Sequence, residues 1–377
     1  MENYDVVIVG AGISGLSTAY YLGKSGVKKV LLLDKSYIGA GSTGRCGTGI
    51  RQQFTTREHI VLMRESVKLW QEWEESLPYP IHFRQGGYLW LLRSQEEAEQ
   101  YKEYVKLQNL LGVGSMIISA LDAKAIVPEL NIEGIYGASW CPTDGNAYPQ
   151  DVLIGLEKAV KQMGIEIRTY ESVEDIKIKN NVVGEVVTDK QTYGAGIVLN
   201  ASGNFSKLLG RMVGVELPLE NFRHQIAVSE PLKIFLSPMV VKGDLYFTQT
   251  YRGRIIGGTD TGGNPTESLL STVSFIEQYA SELVSTMPLL SSVKFMRQWA
   301  GFYVVSPDHH PIIGPTGVSN FIVATGYSGH GFMLGPIIGK LIAGYIRDGS
   351  FFLPEANNLT LERFSTGKLI QERAVIG

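Results

Sequence analysis

Cysteine is nearly absent. Cys46 and Cys141 are the only two in 377 residues, which implies neither a disulfide framework nor a cysteine-based zinc site. A basic surplus is missing as well. Thirty-four Lys and Arg against 37 Asp and Glu give a net charge of −3 and a pI near 6.1, a balance that argues against nucleic-acid binding. No run of about twenty apolar residues escapes glycine or polar interruption, so a spanning helix is not expected. The chain passes from Met1 almost directly into the apolar Val6 to Val9, without a basic leader and cleavage site. These absences give the expectation of a cytoplasmic protein without nucleic acid or a transmembrane segment. No repeat of fixed period and no low-complexity tract is present.

Glycine is in excess: 43 of 377 residues is about 11%, against roughly 7% in average usage. The glycines cluster, which points to close backbone approach to a ligand rather than to a flexible linker. Hydrophobic residues make up 44%, enough for one large or two interleaved domains.

The first 35 residues read as strand, turn, helix, strand. Asp5 to Val9 is a β-branched run suited to a buried parallel strand. Gly10-Ala11-Gly12-Ile13-Ser14-Gly15 follows, then the apolar Leu16 to Leu22, then Val30 to Leu33 ending at Asp34. In this G-x-G-x-x-G, Gly10 permits the tight turn, Gly12 lets the backbone approach a pyrophosphate, and Gly15 allows helix and strand to pack closely. Asp34 stands where a ribose diol needs an acceptor. Dinucleotide binding follows, but this unit alone does not separate FAD from NAD.

Further along, Ile60, Met63, Val67, Trp70 and Trp73 recur at helical spacing between Glu58 and Ser76. Gly86 to Leu92 reads as a strand, Ser94 to Leu111 as an exposed helix, and Val152 to Met163 as another helix. Short strands follow to Asn200-Ala201-Ser202-Gly203. Glu216 to Trp299 is mostly strand-like, interrupted by a helix from Val273 to Met287. The last 75 residues return to strand and helix. The expected organisation is a discontinuous dinucleotide domain at 1–80, 146–215 and 300–377, with 81–145 and 216–299 inserted as a second domain.

Three later segments carry a family resemblance. Asn200 to Gly203 resembles the strand-end turn of two-dinucleotide-type FAD proteins. Gly41-Ser42-Thr43-Gly44-Arg45-Cys46-Gly47-Thr48-Gly49-Ile50 resembles their loop beside the pyrophosphate and flavin ring. Ala324-Thr325-Gly326-Tyr327-Ser328-Gly329-His330-Gly331-Phe332 resembles the C-terminal flavin motif of the D-amino acid oxidase superfamily. The resemblance spans nearly the whole chain and follows the sarcosine and glycine oxidase branch. It is strongest to the β subunits of heteromeric dye-linked L-proline dehydrogenases of archaea, through Arg45 to Phe54, Gly329 to Met333, and Trp299-Ala300-Gly301 followed by Pro307-Asp308.

The resemblance implies an α/β fold: a discontinuous Rossmann-type FAD domain with an inserted substrate domain of mixed β-sheet plus helices. It implies FAD contacts from residues 10–15, Asp34, Lys35, 41–43, 45–50, Val173, 201–203, Gly301 and 329–333. It also implies a partner α subunit with a further redox centre, FMN at the shared interface, and membrane association only through such a complex. The following helix, Leu334 to Arg347, is expected to aim its positive N-terminal end at the flavin.

Arg51 is the expected clamp for a substrate carboxylate, since a guanidinium fork matches a carboxylate bidentately and stays charged; it aligns with the carboxylate-binding arginine of sarcosine oxidases. Tyr246 is expected over the flavin face. Met333 replaces a carboxylate-holding lysine of sarcosine oxidases, and an uncharged, adaptable side chain suits the carbon ring of proline. Ile255 stands where that pattern has a lysine that activates oxygen, which implies a dehydrogenase. Gly301 replaces the cysteine that tethers flavin, so FAD is expected to be non-covalent, with Cys46 a packing residue. His330, between two glycines, is expected to act more through its backbone than its imidazole. His309-His310 lacks a third ligand at useful spacing, so no metal is expected and the pair is assigned to the surface or the flavin loop. The reaction so implied is oxidation of a small amino acid, L-proline to 1-pyrroline-5-carboxylate, by hydride transfer to flavin N5. Electrons then pass to a second flavin, dye or quinone. The alternatives are an oxidase or dehydrogenase for sarcosine, glycine or hydroxyproline, and a non-catalytic electron-relay subunit.

Overall fold

The computed structural model describes residues 1–375. Two large sheets dominate. The first runs in the order Ile312–Pro315, Phe321–Thr325, Thr192–Asn200, Glu2–Val9, Val30–Asp34, Glu166–Thr169, with Val182–Thr188 and Val173–Lys179 branching from Thr192–Asn200. Its four central strands are mutually parallel. Helices cover Val6, Ile8, Val30 and Leu32 on one face, while strands Val173–Lys179 and Val182–Thr188 with helix Ser206–Met212 cover Val7, Val9, Leu31 and Leu33 on the other, which is why both strands read as continuous apolar runs. Because they are parallel, Val9, Asp34, Asn200 and Thr325 all end at one edge of the sheet. The three glycine turns emerge together there, at the place where open α/β sheets bind ligands.

The second sheet runs Phe295–Val305, Glu220–Pro231, Arg254–Gly258, Leu245–Gln249, Met239–Lys242, Tyr88–Leu92, Gly137–Cys141, Met116–Ile118. It is mixed: Met239–Lys242 pairs parallel with Tyr88–Leu92, and the other pairings are antiparallel. Phe295–Val305 crosses the division expected at 299/300. Helix Val273–Thr286 covers one face of this sheet, burying Phe275, Tyr279 and Leu283 against Phe247 and Ile255.

The two ends of the chain meet through a helix crossing. Helix Ile13–Lys24 and helix Gly331–Asp348 approach so closely that a Cβ on Gly335 would sit 2.5 Å from Ile13, and one on Gly339 2.5 Å from Ser17 Oγ. Ser17 Oγ donates to the Gly335 carbonyl at 2.7 Å. The glycines let backbones touch, and this contact seats the C-terminal glycine motif beside the N-terminal one. Helix Arg57–Ser76 adds a second anchor: Trp70 Nε1 and Ser66 Oγ both donate to the Met333 carbonyl, at 3.0 and 2.6 Å.

Candidate active site

A cavity of about 730 Å³ lies along the carboxyl edge of the first sheet and ends against the second, within the usual range of cofactor pockets. Its walls include Gly10, Gly12, Asp34, Lys35, Gly41 to Thr43, Arg45 to Gly47, Val173, Ala201 to Gly203, Gly301, Gly331 and Phe332. The glycines divide by role. A Cβ on Gly10, at φ +112°, would lie 2.3 Å from the Ala201 carbonyl oxygen, and one on Gly15 would lie 1.9 Å from that of Gly10. Gly12 would meet only Thr43 Oγ1, at 3.2 Å, and Gly41 nothing within 4 Å. Gly10 and Gly15 close the fold, whereas Gly12 and Gly41 leave their open sides for a ligand. Asp34 accepts from Ala11 N and Ser36 N, both at 2.8 Å, one backbone donor to each oxygen, which leaves a lone pair on each for a diol. The residues therefore fit a dinucleotide. Thr48, Gly49, His330 and Met333 line a smaller neighbouring cavity instead, and three expected contacts reach neither. Gly15 is spent on packing, Ala11 on its bond to Asp34, and Ile50 is wholly buried in the core.

A second, small cavity of about 50 Å³ adjoins the first and brings together Arg51, Tyr246, His330 and Met333 with Thr48, Gly49, Tyr88 and Tyr303. Three glycines lie flat against three tyrosines here. A Cβ would fall 2.6 Å from Tyr246 at Gly47, 1.7 Å from Tyr88 at Gly49, and 2.4 Å from Tyr303 at Gly329. Tyr88 and Tyr303 escape the sequence reading, which leaves the role of His224 open; His224 lines the larger cavity and stacks on Tyr303 with ring centroids 3.7 Å apart. Burial holds His224 down to about 4, so it is neutral. The available signal was the density of glycine in the facing loops, which requires large partners.

Arg51 is 1% exposed. Nη1 donates to the Gln53 carbonyl at 2.6 Å, Nη2 to the Ala374 carbonyl, and Nη2 lies 3.2 Å from His330 Nε2. Its Nε is buried without any partner, and no carboxylate forms an ion pair with it among the described residues. Burial lowers its pKa, opposed by Tyr88 and Glu372. For His330, burial and then the Arg51 charge hold the imidazole well below its usual range. A neutral ring accepting at Nε2 carries its proton on Nδ1. The imidazole is thus in contact with the guanidinium, in addition to the backbone role expected of His330.

The register of the oxygen-side strand is also corrected. Residues opposed across an antiparallel ladder share a face. Tyr246 opposes Gly258 and Thr248 opposes Ile256, while Gln249 opposes Ile255. Ile255 therefore points into the core, and the side chain on the face of Tyr246 is Ile256. Apolar character is unchanged by the shift.

His310 is fully buried rather than at the surface, and folding gives it the neighbours that the sequence spacing lacked. One ligand-type atom each from His59, His310 and Glu372 lies within 4.8 Å of the others. The His59 and His310 rings, however, stack at 4.4 Å and 27°, so their in-plane lone pairs run side by side instead of converging. Glu372 already accepts from Thr55, Thr56, Arg373 and Ala374. Arg51 and Arg363 lower the His59 pKa after burial. This is a packed stack of neutral imidazoles next to fixed cations, a poor setting for a metal ion.

Cys46 has its thiol pushed up to about 12 by burial, which leaves it unreactive. Gly301 faces Arg45, whose Cβ would stand 3.2 Å from an added Cβ.

The family model for FAD dependent oxidoreductases (DAO) matches residues 5–345. The chain is 31% identical to sarcosine oxidase subunit beta of Rhodobacter capsulatus, over 100% of this chain and 92% of that protein. It is 30% identical to the protein of the same name from an Arthrobacter species, over 98% and 93%. The solved L-proline dehydrogenase from P. horikoshii superposes with a TM-score of 0.94 at 36% identity, covering 98% of this chain and 100% of that one. With a dinucleotide cradle that fits FAD and a buried cation beside it, the chain belongs to the DAO family of FAD-dependent oxidoreductases, in its amino-acid-oxidising branch.

Proposed function

We propose that this protein is a dehydrogenase of a small secondary amino acid, with L-proline oxidised to 1-pyrroline-5-carboxylate. One observation carries the reading. A guanidinium wholly out of water, with an unpartnered Nε and no carboxylate in contact among the described residues, is a costly arrangement unless an anionic ligand completes it. Arg51 borders a cavity too small for more than a compact substrate, and most of the remaining wall is glycine, three tyrosines, Phe332, Met239 and Met333, with Cys46, Thr48 and the neutral His330 as its other polar members. That wall suits a carbon ring, and it offers no second cation of the kind a lysine at position 333 would provide. The identity to the P. horikoshii L-proline dehydrogenase favours the same substrate.

FAD bound in the larger cavity supplies the hydride acceptor. The protein's own part is positioning. Arg51 seats the carboxylate, neutral His330 holds the guanidinium without competing for it, and the tyrosines exclude water. The N-terminus of helix Gly331–Asp348 presents its positive end to negative charge developing at the cavity. Ile256 on the Tyr246 face leaves superoxide without a stabilising cation, which favours a second flavin, dye or quinone as acceptor. With glycine at 301 and a neutral Cys46, FAD is held non-covalently. The relatives named as subunits favour a partner α subunit; FMN at the interface is what the family resemblance implies, and a cytoplasmic complex is what the sequence implies. Segments 1–80, 146–215 and the chain after strand Phe295–Val305 serve as the FAD domain, and 81–145 with 216–305 as the substrate domain.

Sarcosine is the second reading, favoured by the names of the relatives at about the same identity. Anaerobic titration of the yellow protein separates the two. L-proline should bleach the flavin at far lower concentration than sarcosine or glycine; bleaching by sarcosine with L-proline inert overturns the substrate. Arg51→Ala should lower kcat/KM by about 30-fold or more, the loss expected when one partner of a buried charge pair is removed.

A further inference from the structure

We infer that Glu372, more than 300 positions from Arg51 in sequence, is a positioning residue for the carboxylate clamp, and that the turn it builds packs behind the wall of the substrate site. The inference rests on the reading of Arg51 as that clamp.

Glu372 is 1% exposed and sits in a ring of donors. Its Oε1 accepts from Thr55 Oγ1 at 2.6 Å, Ala374 N at 2.8 Å and Arg373 N at 3.0 Å; Oε2 accepts from Thr56 Oγ1 at 2.8 Å and Thr56 N at 3.2 Å. Two of these bonds fold the chain just after Glu372 back on its own side chain, which fixes the direction of the Ala374 carbonyl. That carbonyl accepts from Arg51 Nη2. The others tie the same carboxylate to Thr55 and Thr56, where the segment following Arg51 enters helix Arg57–Ser76. Glu372 N donates to the Asp308 carbonyl at 3.1 Å, and Ala374 packs in one cluster with Tyr88 and Tyr246 of the pocket wall.

One carboxylate thus joins the loop that carries Arg51 to the carbonyl that holds Arg51 from the far side. With Gln53 and Ala374 occupying the two Nη groups, rotation of the guanidinium is blocked, and the unpartnered Nε remains for the ligand. Glu372 also acts on Arg51 as a nearby negative charge without contacting it, so it supports the cation and does not neutralise it. All of its partners are donors. A glutamine there turns one acceptor into a donor facing other donors.

The test is Glu372→Gln in the full chain loaded with FAD. KM for L-proline and the Kd of the unreactive carboxylate pyrrole-2-carboxylate should both rise about tenfold, the scale of a charged hydrogen bond, with kcat changed less than about threefold. Pyrrolidine, which has no carboxylate, should bind Glu372→Gln and wild type alike. Unchanged Kd for pyrrole-2-carboxylate overturns the inference, and so does an equal loss for pyrrolidine, which marks general collapse of the pocket. If Glu372→Gln does not fold, Thr55→Val decides, with a smaller shift of the same selectivity expected and no shift overturning the idea. Should Arg51→Ala bind pyrrole-2-carboxylate normally, the proposed function itself has failed; Arg51→Ala impaired with Glu372→Gln silent removes this inference alone.

Discussion

Three imidazoles, His59, His310 and His330, are at most 3% exposed, and burial lowers the pKa of each: His310 to about 2, the other two well below the usual range. The unfolded chain keeps ordinary histidines near 6.5. Between that value and the folded one, the unfolded state binds protons that the folded state refuses, so stability is lost as pH falls below 6.5. For one such group the term RT ln(1 + 10^(6.5 − pH)) is about 0.2 kcal/mol at pH 7 and about 2 at pH 5. Three groups therefore lose about 6 kcal/mol over that interval, a large share of the 5–15 typical of a domain. With an unfolding entropy of about 2.1 cal/mol/K per residue, the 377 residues convert this to a fall in Tm of about 8 °C. Thermal unfolding in matched ionic strength from pH 7 to pH 5 measures it, and His310→Asn isolates one share: its fall in Tm over the interval should be smaller by about 2 °C. A Tm that is flat over the interval, or a slope identical in His310→Asn and wild type, refutes the claim that the stack is neutral and packed.

The division of glycine roles gives a paired test. Gly12→Ala should fold with an ordinary Tm yet purify with little flavin, whereas Gly10→Ala, strained by its φ and by the Ala201 carbonyl, should fail to accumulate; absorbance at the flavin band per chain and the melting curve report both. Equal flavin content in Gly12→Ala and wild type removes Gly12 from the cofactor contact. Ile256→Lys places a cation on the Tyr246 face and should raise oxygen consumption with substrate by about tenfold or more, the order of a single charge acting on a developing anion. An oxygen electrode that registers no increase overturns the account of why oxygen is a poor acceptor.

The sequence by itself determined the dinucleotide half. Gly10, Gly12, Gly15 and Asp34 lie within one strand–helix–strand unit, so their roles follow from local chain geometry, and the glycine clusters at 41–49 and 326–331 carried the family resemblance without any knowledge of distance. Arg51 and Met333 were legible because they belong to those same local motifs. Tertiary structure alone decided what depends on facing partners. The parity of a strand cannot be fixed from its own residues, so Ile255 was placed on the face that belongs to Ile256 until the ladder to Tyr246 settled it. Tyr88 and Tyr303 look like ordinary strand residues until Gly49 and Gly329 are brought against them. His310 gained His59 and Glu372 only through long-range packing, and Glu372, in a segment with no motif, acquires meaning because its carboxylate closes a turn behind a guanidinium from the other end of the chain.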